Sequence, residues 1–336
     1  MAVESKTAAR QGEADVLTYI IRRVLWIIPV LFFVSVITFA LMHTVPGGPW
    51  SREKKLPEAT VRLLNDKYGL DEPIVAQYLN WVGPLHIEDG SVACCGGILA
   101  GDLGPSYKYI DRSVNQIIGD GILTTMQLGI MAFLLSVAIG LPLGIIAALG
   151  HNKLPDYSAT FVSVIGISTP TFVSSMLLIV IFGVILGWLP VNALKWDTDP
   201  TAWILPIIAL SLFPIAQIAR YTRASMLEVT RRDYVRTAHS KGIGERTVVV
   251  VHMVRNALIP VVTILGPILA FLITGSFIIE YIFSVPGIGR EYVASITQRD
   301  YGMIMAMTMF YAVTIAVLNL VVDVLYAYID PRIRYS

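Results

Sequence analysis

Residues 122–149 read ILTTMQLGIMAFLLSVAIGLPLGIIAAL, an unbroken run without one charged side chain. A helix crosses the hydrocarbon layer of a bilayer in about 20 residues at about 1.5 Å per residue, so this run is long enough to span it. Five more such runs occupy residues 24–42, 161–189, 202–219, 257–283 and 303–328, and across all six the only formal charges are Glu280 and Asp323. Buried helices of a soluble protein would turn a polar face outward with a 3.6-residue period, whereas these runs are apolar on every side. The fold class expected is therefore an all-α integral membrane protein with six transmembrane helices.

Composition agrees. The 336 residues are 55% hydrophobic and 15% charged, a balance foreign to soluble domains. With 25 Lys and Arg against 24 Asp and Glu, no net charge points to nucleic acid as a partner. Pro29, Pro142, Pro170, Pro206, Pro214, Pro260 and Pro267 fall inside the runs, which a membrane bundle tolerates because neighbouring helices satisfy the freed carbonyls. Arg22 and Arg23 precede the first run as in a signal peptide, but that run ends in His43-Thr44-Val45-Pro46 with no small-x-small cleavage pattern, so it reads as an uncleaved span.

Short connecting segments place 15 Lys and Arg on one side of the membrane and 3 on the other. By the positive-inside rule both termini are expected in the cytoplasm. Residues 1–120 then hold the N-terminal tail, first span and an extracytoplasmic segment, with a helix expected over Glu58 to Trp81 and a turn at Gly101-Asp102-Leu103-Gly104-Pro105. Residues 121–336 form a five-helix core with a cytoplasmic loop. Cys94 and Cys95 are adjacent in the outer segment, so they could form only a strained vicinal disulfide with each other or bridges to a partner, and free thiols are the plainer reading. Glu280 and Asp323 both lie near span ends, where their side chains can reach water or headgroups and anchor a helix.

The loop over residues 220–256 carries eight basic and three acidic side chains. Within it Asp233-Tyr234-Val235-Arg236-Thr237-Ala238-His239-Ser240-Lys241-Gly242 reads as a short helix stopped by glycine. The small side chains of Thr237, Ala238 and Ser240 would let a partner approach closely. His252, Asn256 and Pro260 recur at four-residue steps and would line one helical face leading into the fifth span, although the β-branched run from Thr247 to Val251 weakens the helix.

The stretch Tyr234 to Pro260, with Ala238, Gly242, His252, Asn256 and Pro260 in register, resembles the EAA loop of binding-protein-dependent ABC importer permeases. Arg236 and Thr237 replace the generic Glu and Ala, as in the dipeptide, oligopeptide and nickel branch. Arg22-Arg23 leading to Val45-Pro46-Gly47, Tyr68-Gly69-Leu70-Asp71 with Pro73 and Gln77-Tyr78-Leu79, and Gly101-Asp102-Leu103-Gly104 are similar to the first subunit of that branch's permease pair. So are Ser168-Thr169-Pro170-Thr171-Phe172, Glu280 and Phe283 with Pro286, Gly287 and Gly289, and Asn319-Leu320 with Asp323, Tyr326 and Asp330-Pro331-Arg332. Residues 82–97 read as an insertion, and Gly302 stands where the branch commonly has Pro, a change expected to alter only a helix start.

The resemblance implies the type I ABC importer permease architecture in a prokaryotic inner membrane. It also implies a second homologous permease, two ATPase subunits and an extracytoplasmic substrate-binding protein as partners beside the lipid bilayer. Arg236, Thr237, Ala238, Lys241, Gly242, His252, Asn256 and Pro260 would couple to the ATPases. The chain has no Gly-x-x-x-x-Gly-Lys-Ser/Thr loop, so ATP and Mg are expected on those partners and no cofactor in this chain. Peptide is the expected substrate, with nickel or another small solute the alternative within the branch.

Two other classes fit less well. A proton-coupled secondary transporter would carry ionisable groups at mid-span. An intramembrane hydrolase is suggested only by Gly166-Ile167-Ser168-Thr169, which has Pro170 in place of the second elbow glycine and no histidine in any span to act as base.

Overall fold

In a computed structural model the chain is described at residues 2–46, 48–50, 57–83, 86–88, 91–93, 97–109, 111–274 and 276–329. Cys94, Cys95 and the Asp330-Pro331-Arg332 motif lie outside them. The helices are α1 (Ala2–Thr44), α2 (Glu58–Tyr68), α3 (Ile74–Val82), α4 (Val114–Leu149), α5 (Leu154–Ser168), α6 (Thr171–Leu178), α7 (Ile204–Thr230) and α8 (Asp233–Ser240). They continue as α9 (Glu245–Thr247), α10 (Arg255–Thr274), α11 (Phe277–Phe283), α12 (Ile288–Gln298) and α13 (Tyr301–Ile329). Two three-residue strands, β1 (His86–Glu88) and β2 (Ser91–Ala93), pair antiparallel with His86 opposite Ala93, inside the segment read as an insertion.

Among the described residues, five stretches are long and apolar enough to cross a membrane: Ile20–Thr44, α4, Pro200–Thr230, Glu245–Thr274 and Tyr301–Val324. The sixth is broken. Sequence predicts one span over 161–189, but α5 and α6 meet at 106°. Thr169 is extended, with φ −86° and ψ 121°, because the ring of Pro170 excludes the α conformation from the residue before it. Pro29, Pro142, Pro214, Pro260 and Pro267 stay inside continuous helices. The fifth run is also interrupted, since α10 ends at Thr274 and α11 is a separate short helix. The single helix expected over Glu58 to Trp81 is two, because Gly69 takes a left-handed φ of +64° and the Leu70 N–H closes back on the Asn65 carbonyl at 2.9 Å.

The chain forms two compact units, residues 1–122 with 291–336, and residues 123–290. In the first, α1 packs along α13, and Arg23 meets Asp323 at 3.0 Å, so the start of the first span and the end of the last lie at one level. The Ser35 hydroxyl bonds Tyr78 at 2.8 Å and His43 Nε2 bonds Gln77 at 3.0 Å, laying α3 beside the other end of α1.

The segment between α1 and α4 is held by an aromatic cluster of Trp50, Tyr68 and Tyr107, whose ring centroids are 4.7–5.6 Å apart. Burial, with the Asp300 charge adding to it, pushes the Tyr107 phenol up to about 12. Asp300 is buried and caps α13: it accepts from the Met303 N–H at 3.1 Å, and also from the Tyr107 N–H at 2.9 Å. Gly302 does more than alter a helix start, because a Cβ there would stand 2.5 Å from the Pro105 carbonyl oxygen. A proline at 302 would push this loop away from the helix.

The second unit is a bundle of α4 to α7 with α10 and α11, whose core holds Leu128, Leu205, Ile218, Leu272, Ile279 and Phe283. Lipid tails are as apolar as leucine, so close packing and interhelical hydrogen bonds hold such helices together. At the α4–α7 crossing, Gly140 and Gly144 form a Gly-x-x-x-Gly pair. A Cβ at Gly144 would lie 2.6 Å from the Ala219 carbonyl oxygen, so the backbones touch because the side chain is missing. The Trp196 indole donates to Gln127 at 3.1 Å and seals the loop before α7 onto α4.

Candidate functional site

Leaving α7, the chain turns at Arg231 and Arg232 and forms α8 directly over the end of the bundle. Val235 and Ala238, three residues apart, point inward and are 1% and 4% exposed. They join Ala148, Met226, Val229, Val248, Met253 and Ala257 in one apolar cluster, so α8 is seated on α4, α7 and the start of α10. Sequence alone placed Ala238 on the partner-facing surface, but it is the inward foot of the helix.

The outward face carries Arg236, Thr237, Ser240 and Lys241, all exposed. The two hydroxyls are spent within the helix: that of Thr237 donates to the Asp233 carbonyl at 2.9 Å, and that of Ser240 to the Arg236 carbonyl at 3.0 Å. Arg236 and Asp233 stand 3.8 Å apart and fully in solvent, a contact of at most about 1 kcal/mol. Arg231, Lys241, Arg246 and Arg255 have no carboxylate partner among the described residues.

α8 ends in a Schellman turn. Gly242 takes φ +72°, its N–H reaches the His239 carbonyl at 2.9 Å, and the Ile243 N–H reaches the Ala238 carbonyl at 3.3 Å. A Cβ on Gly242 would meet nothing within 4 Å, so glycine is required here by the backbone and leaves an open surface. The His239 ring lies between the Val235 carbonyl at 3.0 Å and Glu245 at 2.9 Å, bracing α8 against α9.

Between α9 and α10 the helix widens to π geometry over Val248–Val254, a local form frequent at functional sites. The β-branched run weakens the α-helix without ending it. His252 is half-buried while Asn256 and Pro260 are exposed. The Asn256 amide donates to the His252 carbonyl at 2.7 Å, so this pair is joined through backbone as well as by spacing.

Two ties beneath α8 went unnoticed in the sequence. The Ser225 hydroxyl donates to the Ala257 carbonyl at 2.7 Å and joins α7 to α10. Asp156, 3% exposed, receives both Arg223 Nε and a terminal nitrogen of Arg223 at 2.8 Å, with the Asn152 N–H at 3.0 Å. This bidentate pair fixes α5 to α7. Its sequence signal was a lone carboxylate in a segment otherwise basic.

At the opposite end of this unit, Glu280 does not reach water as its position near a span end suggests; it is fully buried. Its carboxylate accepts from the Ser276 hydroxyl, from Thr125 Oγ1 at 3.1 Å, and from the N–H groups of Gly289 at 2.8 Å and Arg290 at 3.4 Å. Thr125 Oγ1 in turn accepts from the Ile288 N–H at 3.0 Å. A Cβ at Gly287 would fall 2.2 Å from Glu280 Oε2 and one at Gly289 2.9 Å from the same oxygen, so Glu280 leaves room only for glycine at both positions. These residues build one lock that folds residues 284–290 onto α4. Among the described residues no cluster of three or more His, Cys, Asp or Glu could hold a metal ion.

This chain matches the family described as binding-protein-dependent transport system inner membrane component over residues 140–335, and the N-terminal counterpart of that family over residues 16–129. It is 40% identical over 316 residues to the dipeptide transport system permease protein DppB of Bacillus subtilis strain 168, covering 94% of this chain and 97% of that one. It is 39% identical over 320 residues to the oligopeptide transport system permease protein OppB of Escherichia coli strain K12, covering 95% of this chain and all of that one. Among solved structures, a chain of an amino acid ABC transporter with histidines superposes with a TM-score of 0.51 at 17% identity, over 64% of this chain and 94% of that one, which shows a shared fold. The helical bundle, the seated loop helix and these relatives together give the conclusion that the chain belongs to the binding-protein-dependent inner-membrane permease family of ABC importers.

Proposed function

We propose that this multi-pass permease passes di- or oligopeptides from an extracytoplasmic binding protein to the cytoplasm, driven by ATPase subunits that dock on α8. The chain is not itself an enzyme; ATP and Mg belong to two partner ATPases, and a second homologous permease completes the pathway. No nucleic acid takes part. Residues 1–120 carry the first span and the outer segment, and residues 121–336 the five-span core with the coupling loop.

The observation that carries this reading is the seating of α8. Val235 and Ala238 root the helix in the apolar cluster over α4, α7 and α10, while Arg236, Thr237, Lys241 and Gly242 face outward. A helix held that way moves as one body with the bundle beneath it. His252, Asn256 and Pro260 extend the same path into α10, so a push on α8 is passed into a membrane span. The cytoplasmic placement of α8 and of both termini is supported by the excess of Lys and Arg on that side and by the Arg23–Asp323 contact, which holds the first and last spans at one level.

Peptide as the cargo is supported by the named functions of the relatives. Nickel or another small solute is the alternative within the branch. Proteoliposomes holding the permeases, ATPases and binding protein are expected to take up a labelled dipeptide in a manner abolished by vanadate and insensitive to uncouplers. Uptake that survives vanadate and collapses with an uncoupler would contradict the ATP-driven reading, and uptake of nickel without peptide would contradict the cargo.

A further inference from the structure

A cavity of about 420 Å³ opens between α4, α5 and α7, lined in part by Leu143, Ala147, Ser163, Val164 and Ala219, with Arg220 on its wall. The volume lies in the range of small-molecule sites, and most of its wall surface is apolar, with the hydroxyl residues Thr160, Ser163 and Ser168 among the lining. Arg223, also on the wall, is committed to Asp156. Arg220 has no carboxylate partner among the described residues; its guanidinium is exposed and stands 5.7 Å from the Tyr221 ring.

The level of this cavity in the membrane follows from the sequence. Arg220 is the first charge after the apolar run 202–219, and Lys153, exposed, is the first after the run 122–149. One end of the cavity is therefore among acyl chains and the other at the headgroups. On the flank of α5, Phe161 and Val162 are 66% and 56% exposed and continue the apolar surface outward. An apolar trough capped by an uncommitted cation at the membrane boundary is complementary to one class of molecule, an acyl chain joined to an anion.

We propose that this groove binds an anionic phospholipid, its tail between α4 and α5 and its phosphate on Arg220. Basic pockets between spans recognise acidic headgroups in this way. The groove shares its wall with the Asp156–Arg223 tie beneath α8, so an occupied groove would also stiffen the support of that helix.

The test uses the full-length chain purified with the subunits that accompany it, stripped of lipid and then offered phosphatidylglycerol, phosphatidylcholine or inorganic phosphate. Native mass spectrometry reads the lipid retained. Phosphatidylglycerol should be retained over phosphatidylcholine, and millimolar inorganic phosphate should not displace it. Arg220→Gln, an exposed change that leaves the packing intact, should weaken retention about fivefold. Ser163→Phe should block the trough with Arg220 still present. Equal retention of the two lipids, displacement by free phosphate, or wild-type retention in Arg220→Gln would overturn the proposal. So would a groove found filled by a helix of another subunit.

Discussion

Replacing Glu280 by alanine should release the segment after α11. The carboxylate takes two hydroxyls and two backbone N–H groups. The hydroxyls of Ser276 and Thr125 can turn to other acceptors, but the Gly289 and Arg290 N–H groups are fixed in place. A buried donor left without an acceptor costs about 1–3 kcal/mol, and the Arg290 bond is the longer of the two, so the loss sums to about 2–4 kcal/mol. At about 1.4 kcal/mol per tenfold, residues 284–290 should open at least about thirtyfold more often. Trypsin cleavage at Arg290 in the detergent-purified complex reads that opening, and the apparent melting temperature should fall by about 5 °C or more. Glu280→Gln keeps one oxygen for the N–H groups and should lose less than half as much. An alanine variant that melts with the wild type and resists trypsin equally would refute the lock.

Three further outcomes follow from the packing. Gly144→Val sets side-chain carbon against the Ala219 carbonyl and Thr222; separating α4 from α7 should cost about 1–3 kcal/mol, visible as a lower yield of folded protein by fluorescence-detected size exclusion. Asp156→Asn leaves the part-buried Arg223 uncompensated and should destabilise by about 1–3 kcal/mol, less than a fully buried pair would lose because Arg223 is 30% exposed. Arg223→Met added to it should recover part of the loss, and a double variant worse than the single would contradict that pairing. Gly302→Pro should loosen the loop around Pro105 through its clash with that residue, seen as faster hydrogen exchange at Tyr107, where unchanged exchange would show that the loop adapts.

Hydropathy made the membrane spans legible, because apolar runs of this length leave few other folds. What it hid was conformation within a run. Pro170 breaks its span while Pro142, Pro214, Pro260 and Pro267 do not, so a proline in an apolar run does not by itself mark a break. Glu280 looked like a surface anchor because its donors, the Ser276 hydroxyl, the Gly289 and Arg290 N–H groups and Thr125 from 155 positions away, converge on it only when residues 284–290 fold back onto α4. Gly69 is a stop that composition around Glu58 to Trp81 obscured. At the loop helix, by contrast, Val235 and Ala238 could have been read as an inward face from their spacing in a charged segment.

The docking of α8 is tested most directly by Gly242→Asp compared with Gly242→Ala, measuring ATP hydrolysis and peptide uptake together in proteoliposomes of the assembled complex. Both changes strain the left-handed backbone, by about 1–2 kcal/mol, but only aspartate adds a charge to the open surface. Full assembly and continued hydrolysis with uptake lost in the aspartate variant and largely kept with alanine is the expected result. A correctly assembled Gly242→Asp complex that transports like the wild type would contradict the account.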